Sequence, residues 1–273
     1  MADKELFNLA AEIRIGALEC LGAFGSGHIG GAMSVCDTLA VLYGSELRHD
    51  PKNPDWDLRD RLVLSKGHAG PALYSALALR GFFPREQLLT LNQGGTKLPS
   101  HVDRTKTPGV DMTCGSLGQG MSAAVGLAYG ARLNKWDSYT YLILGDGECD
   151  EGQVWEGAMF AYHNKLSNLI AFVDCNKQQL DGYTKDVLDT GDMAEKFRSF
   201  GWHTLTVNGH DVDAVKAAVQ AAKAEKTLPT AIILDTIKGY GCTFAEGKAN
   251  NHSMTCGKDD VDAAIAALRA KIA

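Results

Sequence analysis

Apolar and polar positions change their spacing several times along the chain. Between 4 and 23, Leu6, Leu9, Ile13 and Leu18 recur near i, i+3 and i+4, which predicts an amphipathic helix. Residues 33–44 and 69–80 also read as helical, and the small-residue-rich stretch 118–132 as a buried helix. RLVL at 61–64 reads as a short strand. From 139 onward an alternation sets in: YTYLIL (139–144), a helix over 152–165, NLIAFVD (168–174), a strand over 203–207, a helix over 211–225, and TAIILD (230–235). Strands that are apolar at every position are buried on both faces, so the pattern predicts an α/β fold, a parallel sheet with helices on both faces. Ligands of such sheets bind at the carboxyl ends of the strands, which places the chemistry just after Leu144, Asp174 and Asp235. Two stretches lack a period: 48–60 is polar and proline-rich, and 92–112 is rich in Gly, Pro and Thr. The second is long for a plain connection, and loops of that kind are functional or disordered.

Composition narrows the classes. Of 273 residues, 45% are hydrophobic and 22% charged, enough for a sizeable core and incompatible with general disorder. A net charge of −6 argues against a broad nucleic-acid surface and against a polybasic membrane anchor. The 7 cysteines are scattered and never spaced as C-x-x-C, which predicts neither a zinc site nor a disulfide framework but reduced thiols in a cytoplasmic protein. The N-terminus has no signal-peptide apolar region, and no apolar run approaches the roughly 18 residues of a membrane span.

The chemistry concentrates after the strand that ends at Leu144, in Gly145-Asp146-Gly147-Glu148-Cys149-Asp150-Glu151-Gly152. Alone, Gly-Asp-Gly is compatible with a simple Asx-type turn. Here a helix follows, whose N-terminus suits a phosphate. One strand–helix–strand unit later the chain reaches Asp174-Cys175-Asn176, so Asp146 and Asn176 reach the same sheet edge. A carboxylate and an amide oxygen are hard ligands for Mg²⁺ or Ca²⁺, and Mg²⁺ commonly completes its shell with phosphate oxygens. The spacing therefore predicts a site for Mg²⁺ and a diphosphate.

Gly-Asp-Gly followed at this spacing by Asn176-Lys177 resembles the signature of thiamine diphosphate enzymes. Within them, residues 145–182 (GDGECDEGQVWEGAMFAYHNKLSNLIAFVDCNKQQLDG) resemble the transketolase family. The likeness continues through SGHIGGAMS (26–34), SKGHAGPALY (65–74), LPSHVDRTKTPGVDMTCGSLGQG (98–120) and IKGYGCTFAEGKANNH (237–252). It implies one diphosphate-binding (PP-type) domain over 1–273, equivalent to the N-terminal third to half of a full-length transketolase. It also implies metal ligation by Asp146, Asn176 and the carbonyl of Gln178, with Ca²⁺ or Mn²⁺ able to replace Mg²⁺. Thiamine diphosphate would lie against His68, Gly115, Ser116, Leu117, Gly145, Asp146, Gly147, Glu148, Glu151, Asn176 and His252. Catalytic duties would fall to His28, His68, His101 and His252: His28 and His101 on sugar hydroxyls, His68 on the diphosphate near the reacting centre, and His252 least defined. Glu151 and Glu156 match acidic residues near a subunit interface, or simply favour the first turns of a helix. Asp174 reads as structural, and His49, His163, His203 and His210 as structural or solvated.

The likeness has gaps. Ile29 stands where the family has proline, Cys114 where it has threonine, Lys66 where it has asparagine, and Ser253-Met254-Thr255 follow the last histidine. The glutamate that activates the cofactor's aminopyrimidine, and the arginines that grip the donor's phosphate, belong to a downstream pyrimidine-binding domain for which no length remains after TAIILD. The resemblance thus implies the N-terminal subunit of a split transketolase, inactive alone, paired with a separate chain bearing the pyrimidine and C-terminal domains, as α2β2. The expected reaction is transfer of a two-carbon ketol unit between sugar phosphates, with a pentose-phosphate role as the default. Other thiamine diphosphate subunits (1-deoxyxylulose-5-phosphate synthase-like, or 2-oxoacid decarboxylating) and a non-catalytic regulatory subunit remain alternatives.

Overall fold

A computed structural model describes residues 3–272. Helix α1 (Lys4–Phe24) begins at Asp3, whose carboxylate accepts from the Leu6 N–H, and ends at Gly25 in the left-handed conformation. A two-residue strand β1 (Ser26–Gly27) leads to α2 (Gly30–Ser34) and α3 (Cys36–Val41), so the helix expected over 33–44 is broken at Val35 and ends in a wide turn over 42–46. Strand β2 (Arg61–Leu64) is followed by α4 (Gly70–Leu79), with Pro71 in its first turn, and by α5 (Gln119–Leu133). Strand β3 (Thr140–Gly145), α6 (Gly152–His163) and β4 (Leu169–Cys175) follow, then the short α7 (Thr184–Val187) and α8 (Met193–Ser199). The chain ends with β5 (His203–Asn208), α9 (Val212–Ala224), β6 (Thr230–Asp235), β7 (Met254–Thr255) and α10 (Lys258–Arg269).

Five strands form one parallel sheet in the order β2-β3-β4-β6-β5. Parallel crossovers are right-handed, so the direction of each step decides the face of its helix. The steps β2→β3, β3→β4 and β4→β5 run one way and place α5, α6 and α8 on one face. The step β5→β6 runs back and places α9 on the other, with α3 against it. The aromatic contacts agree: Trp155 of α6 packs on Phe197 of α8, and Trp202 donates to the Ala158 carbonyl. Tyr141, Leu142, Ile143, Leu169, Ile170, Phe172 and Ile232 are buried without exposure, as apolar central strands require.

The order reverses between β4 and β6, and at that reversal a parallel sheet opens a crevice beyond its carboxyl ends. Three turns leave the sheet there: Asp146 after β3, Asn176 after β4 and Thr236 after β6. Two features at its rim were not legible from periodicity. Strands β1 and β7 pair antiparallel, Ser26 with Thr255 and Gly27 with Met254. The loop over 92–112 is held in place by Val102, whose N–H donates to the Gly67 carbonyl and whose carbonyl accepts from Cys114. Gly67 is obligatory at that junction, because a Cβ would lie 1.9 Å from the Cys114 carbonyl oxygen.

Candidate active site

The crevice is a cavity of about 270 Å³. His28, His68, His101 and His252 come from four separate segments and close on one another there. His28 lies 5.2, 5.4 and 5.3 Å, centroid to centroid, from His68, His101 and His252, and His68 lies 4.9 Å from His252. The short β1–β7 ribbon explains part of this convergence, since it ties the segment after α1, which carries His28, to the segment that carries His252. Gly115, Leu117, Gly145, Asp146, Gly147 and Glu148 line the same cavity, as do Asn176 and Gln178. Ser116, Glu151 and Glu156 are exposed and stand outside its lining.

The Asp146 carboxylate caps its own turn. Its Oδ1 accepts from Gly147 N–H at 2.8 Å and its Oδ2 from Lys177 N–H at 2.6 Å. Lys177 reaches that oxygen from the left-handed conformation (φ 67°), a strained backbone for a residue with a side chain. Asn176 is oriented from both sides: its Nδ2 donates to Asp174 at 2.9 Å, and its Oδ1 accepts from Gln178 N–H at 3.1 Å. Burial, and then the charge of Asp174, push the Asp146 carboxyl up to about 6. A cation beside such a group favours its ionised form and is held by it in return. Asp146, Asn176 and Gln178 together offer only oxygen donors: a carboxylate, an amide and a carbonyl. Among the described residues there is no cluster of three or more His, Cys, Asp or Glu side chains suited to a metal, and this oxygen set is of a different kind.

Asp174 is saturated by its own donors. It accepts from Lys66 at 2.5 Å, Ser34 at 2.7 Å, Asn176 at 2.9 Å and Thr236 at 2.5 Å. Burial opposes its ionisation, but Lys66 and the hydrogen bonds prevail and hold it below the usual carboxylate range. Glu148 is spent similarly, accepting from Ser65, from Gly118 N–H at 2.9 Å and from Gly145 N–H at 3.0 Å. It joins β2, the start of α5 and the end of β3 around the cavity. Of the two glycines that flank Asp146, a Cβ on Gly147 would strike Gln179 at 2.7 Å, whereas one on Gly145 would make ordinary contacts.

Lys238 and Asn251 lie within the 237–252 motif, but no role was expected of either. Lys238 is buried beyond β6, donates to the carbonyls of Gln178 (3.3 Å) and Gln179 (3.1 Å), and lies 3.2 Å from His252 Nδ1. Asn251 is buried behind it and donates to the Lys238 carbonyl at 2.9 Å. A lysine set between Ile237 and Gly239 at the carboxyl end of TAIILD was the available signal. A wider groove lined by Arg132, Lys135, Trp136 and Lys165 lies at the opposite, amino end of β3 and β4. Arg132 sits in the last turn of α5, and Lys135 and Lys165 follow the C-termini of α5 and α6, where helix dipoles favour cations.

The four histidines share an electrostatic setting. Burial first, then neighbouring cations and rings, lowers His68 to about 2 and His252 to about 4; His28 and His101 are lowered as well. They are therefore neutral hydrogen-bonding rings at neutral pH. The unfolded chain takes up protons on these rings below their ordinary value of 6.5, while the fold resists it, so stability falls as pH drops from there toward about 4. Thermal midpoints measured between about pH 7 and about pH 5 should decline in the wild type and decline less in His252→Asn. Equal slopes for the two proteins would contradict a neutral His252.

Comparison with known proteins agrees with this geometry. Residues 6–271 match the family model for the transketolase thiamine diphosphate binding domain. The chain is 51% identical over 264 residues to a 6-deoxy-6-sulfo-D-fructose transketolase subunit, SqwG, of Clostridium sp. (strain MSTE9), covering 97% of this chain and 96% of that one. It is 37% identical to an apulose-4-phosphate transketolase subunit of Phocaeicola vulgatus, covering 83% of this chain and 80% of that one. Against longer relatives it spans less than half: 40% of transketolase 1 of Vibrio cholerae, at 38% identity over 94% of this chain. The solved transketolase of Campylobacter jejuni superposes with a TM-score of 0.92 at 32% identity, covering 98% of this chain and 43% of that one. Among the described residues no helix is long and apolar enough to cross a membrane. The chain belongs to the transketolase family of transferases and corresponds to its thiamine diphosphate binding domain.

Proposed function

We propose that this chain is the diphosphate-binding subunit of a split transketolase, which transfers a two-carbon ketol unit from a ketose to an aldose phosphate. The observation that carries this reading is the joining of two sets of residues in one cavity. One is an oxygen-donor turn for a divalent cation, the other a ring of four neutral histidines. The residues present fit the cofactor: Asp146, Asn176 and the Gln178 carbonyl would hold the cation, and Lys238 would offset diphosphate charge in the same cavity. Thiamine diphosphate, when bound, supplies the carbanion chemistry that breaks and remakes the carbon–carbon bond.

The chain's own residues bind, orient and move protons. Neutral imidazoles can accept a proton from a sugar hydroxyl or donate one to it, and positioned acid–base groups are worth about 10²–10⁴-fold. Among the described residues the cavity lining includes no arginine, so a distal phosphate or sulfonate on the donor is left to another chain. The relative named for 6-deoxy-6-sulfo-D-fructose supports a donor ketose whose far end is anionic. Exposed apolar side chains at the cavity support a second chain docking there. Leu117 (38% exposed) and Leu180 (63% exposed) line it.

Two results test the reading. Thiamine diphosphate with Mg²⁺, added at about a hundred times its dissociation constant, should stabilise the chain by about 2.7 kcal/mol, raising the thermal midpoint by about 5–10 °C. Ketol transfer from xylulose 5-phosphate to ribose 5-phosphate, or from 6-deoxy-6-sulfo-D-fructose, should require a second chain, sought first in the adjacent reading frame. Robust turnover by the purified chain alone would sink the split assignment.

A further inference from the structure

Lys238 does more than place a positive charge in the cavity. Its Nζ has three contacts: the carbonyls of Gln178 and Gln179, which accept, and His252 Nδ1 at 3.2 Å. An ammonium group has three N–H donors and accepts nothing, so all three are committed. The Nδ1 of His252 is therefore the ring nitrogen without a proton. A neutral imidazole then carries its single proton on Nε2.

The contact does not depend on a wandering lysine. Asn251, fully buried, donates to the carbonyls of Lys238 (2.9 Å) and Ala245 (2.8 Å). Its own carbonyl accepts from the Gly30 N–H at 2.9 Å. This clamp fastens the strip that carries Lys238 to the residue before His252 and to the segment that carries His28.

We propose that Lys238 is a positioning residue that locks His252 in its Nε2–H tautomer, so that His252 meets the sugar as a hydrogen-bond donor and not as a proton acceptor. The part that concerns the sugar rests on the proposed ketol transfer. In that role His252 holds an oxygen that gains negative charge, and the proton released by a donor hydroxyl goes to another group of the cavity.

The test is NMR of the ¹⁵N-labelled full chain, reading the His252 ring nitrogens through long-range proton–nitrogen correlations, assigned with His252→Asn. The expected spectrum has a protonated Nε2 and an unprotonated Nδ1. Lys238→Met should give mixed tautomers at His252 alone, and Lys238→Arg should restore the single one. A protonated Nδ1 in the wild type, or an unchanged His252 in Lys238→Met, overturns the proposal. Should Lys238→Met not fold, the wild-type spectrum decides alone. In the two-chain assembly, Lys238→Met should lower kcat about 10–100-fold with donor KM little changed. An unaltered kcat with altered tautomers would also overturn it. Absence of ketol transfer by the wild-type assembly would count against the proposed function, while the tautomer is still read on the chain by itself.

Discussion

Asp146→Ala is expected to abolish cofactor-dependent turnover by the two-chain assembly and to erase the stabilisation of this chain by thiamine diphosphate and Mg²⁺. Asp146 is the one carboxylate among the three proposed cation ligands. Its oxygens are aimed by two backbone N–H groups, of Gly147 and Lys177, and its side chain lies in the cavity wall. Alanine removes the ligand and also strands the Lys177 N–H, at a cost of about 1–3 kcal/mol if it stays buried. A metal in such a site contributes several kcal/mol, so a loss of about 10³-fold or more in kcat/KM is expected. Asp146→Asn separates the two effects, because it keeps an oxygen for one N–H but not the charge. It should fold nearly as stably as the wild type and still fail to respond to the cofactor. An alanine variant whose midpoint rises with thiamine diphosphate and Mg²⁺ as the wild type's does would remove Asp146 from the site.

Lys66→Met is expected to lower stability by about 3–5 kcal/mol, or about 10 °C in thermal midpoint, because it leaves Asp174 as a buried carboxylate without its cation. The pair is 2.5 Å apart, with side-chain exposures of 2% and 0%. Asp174→Asn should also destabilise, and the double variant should lose less than the sum of the two, since the charge imbalance arises only when one partner is removed. The effect extends to the site. Asp174 accepts from Asn176 Nδ2 and so sets which face of that amide turns its oxygen toward Gln178 N–H and the cavity. Lys66→Met should therefore also blunt the response to thiamine diphosphate and Mg²⁺. A midpoint within about 2 °C of the wild type would show that Ser34, Asn176 and Thr236 neutralise Asp174 without the lysine.

Much of the architecture is local and so lies open in the chain. Parallel strands covered on both faces read as near-continuous apolar runs, which is why 139–144, 168–174 and 230–235 stand out. The helix over 211–225 is legible from its period and from Asp211, which caps it through the Asp213 and Ala214 N–H groups. The Gly-Asp-Gly turn and Asn176 are legible because one strand–helix–strand unit has a narrow range of lengths. Less local features did not show. The helix over 33–44 is broken at Val35, and α8, α10 and the β1–β7 ribbon lie outside the elements that periodicity predicts.

Spacing along single segments is enough to predict the parallel sheet and to place Asp146 and Asn176 at one sheet edge. It does not reveal that β6 inserts between β4 and β5, and hence that the exit of β6 faces the exits of β3 and β4; the folded molecule does. That insertion brings Lys238 onto the Gln178 carbonyl and beside His252. It also sorts the histidines. Four meet in the cavity, while His210 accepts at Nε2 from the Ile237 N–H and faces Asp37 with Nδ1, and His49 stacks on Phe82. Periodicity reports whether a side chain is buried; which side chains face each other depends on how distant segments cross, and that is settled by strand order and by buried ties such as Asn251.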